Sequence, residues 1–63
     1  MKTYAVTQHL EWCCPKMLVF VDDNGYVIGN QQNPNNDLTQ NWVEEGETLE
    51  KFDPADYKEV REV

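Results

Sequence analysis

Met17-Leu18-Val19-Phe20-Val21-Asp22-Asp23-Asn24-Gly25-Tyr26-Val27-Ile28 is the stretch that decides the fold. Residues 17–21 are apolar at every position, which fits a strand covered on both faces and hence a central one. Asn24-Gly25 separates that run from Tyr26-Val27-Ile28, a second run of aromatic and β-branched residues. Both residues of the pair tolerate positive φ, so the stretch predicts an antiparallel hairpin.

Upstream, Tyr4, Val6, Leu10 and Trp12 share one parity, with Gln8 the exception. Thr3, Thr7, His9 and Glu11 fall on the other. That period predicts a strand over residues 2–12 with one face buried, placed at a sheet edge. Cys13-Cys14-Pro15-Lys16 ends it, since proline cannot donate to a ladder.

Downstream, residues 29–41 form a polar run in which only Leu38 suits a core, and it predicts a long loop. Trp42-Val43 restarts the apolar signal as a short fourth strand, closed by Gly46. Residues 48–52 fit one helical turn or a strand. Asp53-Pro54-Ala55-Asp56-Tyr57 reads as a helix start, with Asp53 as N-cap, Pro54 at the first position and Asp56 as capping acid. Phe52 and Tyr57 match a hydrophobic staple. A helix over residues 54–62 follows, with Tyr57, Val60 and Val63 turned inward. The expected fold is therefore α+β: one domain over residues 1–63, a three- or four-stranded antiparallel sheet with one C-terminal helix.

Sixty-three residues allow a single domain. A chain of this size buries only about 60% of the surface its unfolded form exposes, so its stability is marginal. The apolar 40% is clustered in the runs above, which predicts a folded chain. Twelve acids against five bases give a net charge of −7. Such a surface repels phosphate, which argues against direct binding to nucleic acid or anionic lipid and favours a basic partner. No apolar run reaches the roughly 18 residues of a membrane span. The opening Met1-Lys2-Thr3-Tyr4-Ala5-Val6 runs into Thr7, Gln8 and His9, too polar for a signal-peptide core. The expected compartment is the cytoplasm.

Catalytic parts are scarce, and the chain is not expected to be an enzyme. Serine is absent and His9 is the one imidazole, so a nucleophile–base–acid triad lacks members. His9 and Cys13 share a face of an extended strand, yet lie about 13 Å apart. A structural zinc site needs four ligands, and His9-x₃-Cys13-Cys14 has no second pair to complete it. Asp22-Asp23-Asn24-Gly25 lacks the acid that a calcium loop carries five residues before its glycine, where Phe20 stands. No cofactor and no metal are expected.

Val43-Glu44-Glu45-Gly46-Glu47-Thr48-Leu49 is similar to the opening of the peptidoglycan-binding LysM module, V-x-x-G-D-T-L. The resemblance covers seven residues, and the fourteen that remain hold Pro54 where LysM continues with a second helix and a closing strand. LysM function is not carried over.

The acids are the remaining feature. Residues 1–40 carry four acids and two bases, whereas residues 41–63 carry eight acids and three bases. Glu44, Glu47, Glu50, Asp53, Asp56, Glu59 and Glu62 recur at every third position. The leading expectation is a small acidic protein-binding module, an inhibitor or modulator of another protein, similar in size and charge to those encoded by phages and mobile elements. Glu44, Glu47, Glu50, Trp42, Asp22 and Asp23 are its expected contact residues. The alternatives are a nucleic-acid-mimicking inhibitor of a DNA or RNA enzyme and a self-associating assembly component. The expected state is a monomer or weak dimer.

Adjacent Cα atoms lie about 3.8 Å apart, below the roughly 4.4–6.8 Å that an unstrained disulfide spans. Cys13 and Cys14 should therefore both titrate as free thiols in protein purified without oxidant. An intact mass two daltons light, with no reactive thiol, would contradict this.

Overall fold

The computed structural model describes residues 1–10, 15–32 and 40–63. Among them the chain forms β1 (Lys2–Thr7), β2 (Lys16–Val21), β3 (Tyr26–Gln31), β4 (Gln40–Trp42), β5 (Glu50–Lys51) and β6 (Glu59–Glu62), with a 3₁₀ turn at Pro54–Asp56. All pairings are antiparallel. The strand order is β4-β3-β2-β1-β6, and β5 pairs with β3 on the flank that β4 also occupies.

The hairpin forms where its residues predict. Gly25 N–H donates to the Asp22 carbonyl at 3.1 Å, and Asp22 N–H donates to the Tyr26 carbonyl at 2.9 Å. Gly25, at φ 89°, takes the left-handed position that closes a three-residue loop. Asp22 Oδ1 accepts from the backbone N–H of Asn24 and of Tyr26, at 3.0 and 2.9 Å. The register then slips: Phe20 faces Gly29, yet Val21 faces Val27, so Ile28 is a bulge residue. The slip puts Val27 on the same face as Val21. The Ile28 carbonyl accepts from Val43 N–H at 2.9 Å.

β2 is the central strand, as its unbroken apolar run requires. Val19 is 1% exposed, and Val6, Met17 and Val21 complete the buried cluster on its face. The register sets Tyr4 against Val19 and Val6 against Met17. Residues 52–58 then carry the chain from the β5 flank to the β6 flank, with Phe52 and Tyr57 packed on this cluster. The Phe52 ring stacks on Tyr4 at 4.5 Å and on Tyr57 at 5.7 Å. Pairs of this kind add about 0.5–1.5 kcal/mol beyond the area they bury.

The α+β expectation is overturned: the fold is all-β, a six-stranded antiparallel sheet, and the only helical piece among the described residues is a lone 3₁₀ turn. The helix-start signals are nevertheless used. Asp53 Oδ1 accepts from Ala55 N–H at 3.0 Å, Pro54 opens the turn, and Phe52 meets Tyr57 as a staple. After Asp56 the chain extends, and β6 pairs with β1, setting Val60 against Val6 and Arg61 against Ala5. Two forces decide this outcome. A nine-residue helix is marginal by itself. A strand also satisfies the open edge of β1 and brings Val60 to the core.

Further corrections follow from the same pairing. β1 lies between β2 and β6, so it is not an edge. It ends at Thr7, where Gln8 N–H donates to the Pro15 carbonyl, and Leu10 is exposed. Trp12, Cys13 and Cys14 lie outside the described residues. The polar run is shorter than expected, because β3 continues to Gln31 and β4 opens at Gln40. Leu38 lies outside the described residues. Of the two alternatives for residues 48–52, the strand is correct at Glu50–Lys51.

Candidate functional site

Gly29 permits an aromatic contact on the opposite face of the sheet. It stands in β3 between Phe20 of β2 and Trp42 of β4. The Trp42 indole lies over the glycine and stacks on Phe20, with centroids 4.9 Å apart at 21°. A Cβ on Gly29 would stand 2.6 Å from Trp42 Cε3 and 2.8 Å from the Asn41 carbonyl oxygen. One side of the indole is therefore held, yet Trp42 remains 51% exposed on the flank of the sheet.

After Trp42 the chain leaves β3, turns, and returns as β5. Glu47 N–H donates to the Glu44 carbonyl at 3.2 Å, and Gly46 at φ 93° occupies the third position of that turn. A positive φ there is what a type II turn demands. Glu44, Glu45 and Glu47 are exposed beside Trp42, and Glu50 is exposed on β5. Glu50 pairs with Val27, which brings it toward the crossing. Burial raises the Tyr57 phenol above its ordinary value, and the Asp56 and Glu50 carboxylates raise it further.

Residues 44–56 thus hold six acids, Glu44, Glu45, Glu47, Glu50, Asp53 and Asp56, against Lys51 alone. Among the described residues the ion pairs are Met1 N to Asp23 at 2.9 Å and Lys2 to Glu62 at 4.0 Å, and neither involves this segment. Its field is accordingly uncompensated by close partners.

The expected contact residues therefore divide. Trp42, Glu44 and Glu47 share the β4–β5 flank, whereas Glu50, paired with Val27, stands on the crossing face, opposite the Trp42 side. Asp22 is occupied, because its carboxylate closes the hairpin. Asp23 is exposed but engaged with the Met1 amine, whose hydrogen bond and charge hold its carboxyl below the usual value. Glu45 belongs with the set, although it breaks the three-residue spacing that singles out the others. Gly29 opens the polar run that predicts a loop; its place in an apolar–glycine–apolar path across three strands is not visible in one dimension.

Among the described residues no group of three or more His, Cys, Asp or Glu side chains is placed to hold a metal. His9 is exposed. No helix among the described residues is long and apolar enough to cross a membrane. No protein family, curated protein or solved structure matches this chain.

Gly29→Ala tests the aromatic arrangement. Replacing a strand glycine ordinarily brings about 0.5–1 kcal/mol. Here the overpacking cost of about 1–3 kcal/mol should win, because a backbone carbonyl and a stacked ring both stand in the way. In a Trp12→Phe background the emission of Trp42 should shift to the red as its ring leaves Phe20. Unchanged emission together with a higher melting midpoint would contradict the geometry.

Proposed function

We propose that this chain is an acidic protein-binding module that inhibits or modulates another protein through its β4–β5 flank. The observation that carries the reading is Trp42, half-exposed yet braced on Phe20, beside three exposed glutamates that form no ion pair among the described residues. A preheld aromatic ring loses little freedom on docking, and tryptophan is enriched among residues that dominate binding energy. The carboxylates around it supply long-range attraction toward a basic surface and raise the association rate. The partner is accordingly a protein with a basic patch and a pocket for an indole.

Imitation of a nucleic-acid backbone fits the fold less well. Acids three residues apart on extended chain are separated by about 10 Å, against one charge per 1.7 Å of DNA axis. Glu44, Glu45 and Glu47 instead cluster on a turn.

The test is affinity capture from a bacterial lysate, followed by association kinetics with the identified partner. Glu44→Lys/Glu47→Lys should slow association about tenfold at low salt and far less at high salt, where exposed charges are screened. The charge-matched Glu11→Lys/Asp23→Lys should change it by less than about twofold. Equal effects of the two doubles, or none from either, would reduce the acids to a solubility role.

A further inference from the structure

We propose that the opposite flank of the sheet, the outer edge of β6, pairs antiparallel with β6 of a second copy about a two-fold axis through Val60. This goes beyond the acidic flank and is independent of it. The inference rests on backbone direction and on charge order.

Direction comes first. Val63 N–H donates to the Thr3 carbonyl at 2.9 Å, and the register sets Arg61 against Ala5 and Glu59 against Thr7. In an antiparallel ladder, alternate residues turn their N–H and C=O to the same neighbour. Glu59, Arg61 and Val63 therefore address β1, while the main-chain groups of Val60 and Glu62 face outward. Among the described residues no strand lies on that side. An open edge of this kind is a template for another strand.

Charge order then selects the occupant. The edge reads Lys58-Glu59-Val60-Arg61-Glu62, plus, minus, neutral, plus, minus. About an axis through Val60, Glu59 faces the partner's Arg61 and Val60 faces the partner's Val60; Lys58, whose N–H donates to the Thr7 carbonyl at 2.7 Å, stays bonded to β1 and adds only its charge at that end of the contact. By symmetry the Glu59–Arg61 opposition occurs twice, and both are favourable. The neighbouring registers that keep outward residues paired both fail. Moving the axis to Arg61 sets that residue against its own copy, and moving it to Glu59 does the same there. Opposite charges across strands stabilise pairing and like charges oppose it, so a single register is selected.

The net charge of −7 does not prevent this. Residues 58–62 carry two bases and two acids, so the contact itself is neutral. The acidic flanks lie at the far ends of the joined sheet. With five strand positions per copy and about 4.8 Å between strands, they stand roughly 40 Å apart. That is several times the screening length of about 8 Å at physiological salt. Apolar surface lies beside the contact: half-buried Ala5 and Leu18 and exposed Val63 line an open groove of about 690 Å³ that also includes Glu59 and Arg61. The paired sheet would join this groove to its symmetry mate.

Sedimentation equilibrium of the full chain at about 0.15 M salt, at concentrations up to about 1 mM, reads the association. The wild type should show a monomer–dimer equilibrium. Glu59→Arg and Arg61→Glu should each weaken it at least about tenfold, since each turns two attractions into two repulsions. An equimolar mixture of the two variants should associate again, because the like charges of one strand then meet the opposite sign on the other. Absence of a wild-type dimer, indifference to either reversal, or a mixture that stays monomeric would each overturn the proposal.

Discussion

A sheet one strand thick has two faces and no second layer, so some part of the chain must cover the apolar one. Residues 52–58 do so. The contact on which they depend is the stack of Phe52 on Tyr4 and Tyr57 over the cluster of Val6, Met17, Val19 and Val21. This crossing takes the chain from the β5 flank to the β6 flank in a few residues. It closes the core and delivers Val60 to Val6 in the same step. It also explains why the capped turn at Pro54–Asp56 stops after one turn. A longer helix would hold the chain on the face and leave β1 without its outer partner.

The central strand and its hairpin were legible because their signals are local. An unbroken apolar run followed by Asp22-Asp23-Asn24-Gly25 leaves little else for residues 17–28 to form. The C-terminal segment was misread because the signals at Asp53, Pro54, Asp56 and Phe52 are those of any turn that starts helically. They fix the first turn and say nothing of the second. The outcome rested on β1, some fifty residues away in the chain. Gly29 and Trp42 form a similar case, since their relation depends on strand order and register. The bulge at Ile28, which resets the face that Val27 presents, leaves no mark in composition at all.

The acids changed meaning once the helix was gone. A three-residue spacing that would have wound around a helix is split by the strands between two flanks. Glu44, Glu45 and Glu47 collect with Trp42 on one flank, almost without bases, and Glu50 stands on the crossing face of that same flank. Glu59 and Glu62 fall on the other, interleaved with Lys58 and Arg61. One flank has a strong net field and an aromatic anchor, which suits a foreign basic surface. The other has no net charge and a sign order that reads the same from its symmetry mate. Joined through β6, two copies would carry two acidic flanks, and two linked sites bind a repeated or paired target more tightly than one.

All of this rests on residues 59–62 being an edge strand reached by the crossing, and amide hydrogen exchange in dilute protein measures that directly. Protection should alternate along the segment: Arg61 and Val63, which address β1, should exchange slowly, and Val60 and Glu62, which face outward, should exchange fast. Uninterrupted protection across Val60, Arg61 and Glu62, as a helix would give, would contradict the account.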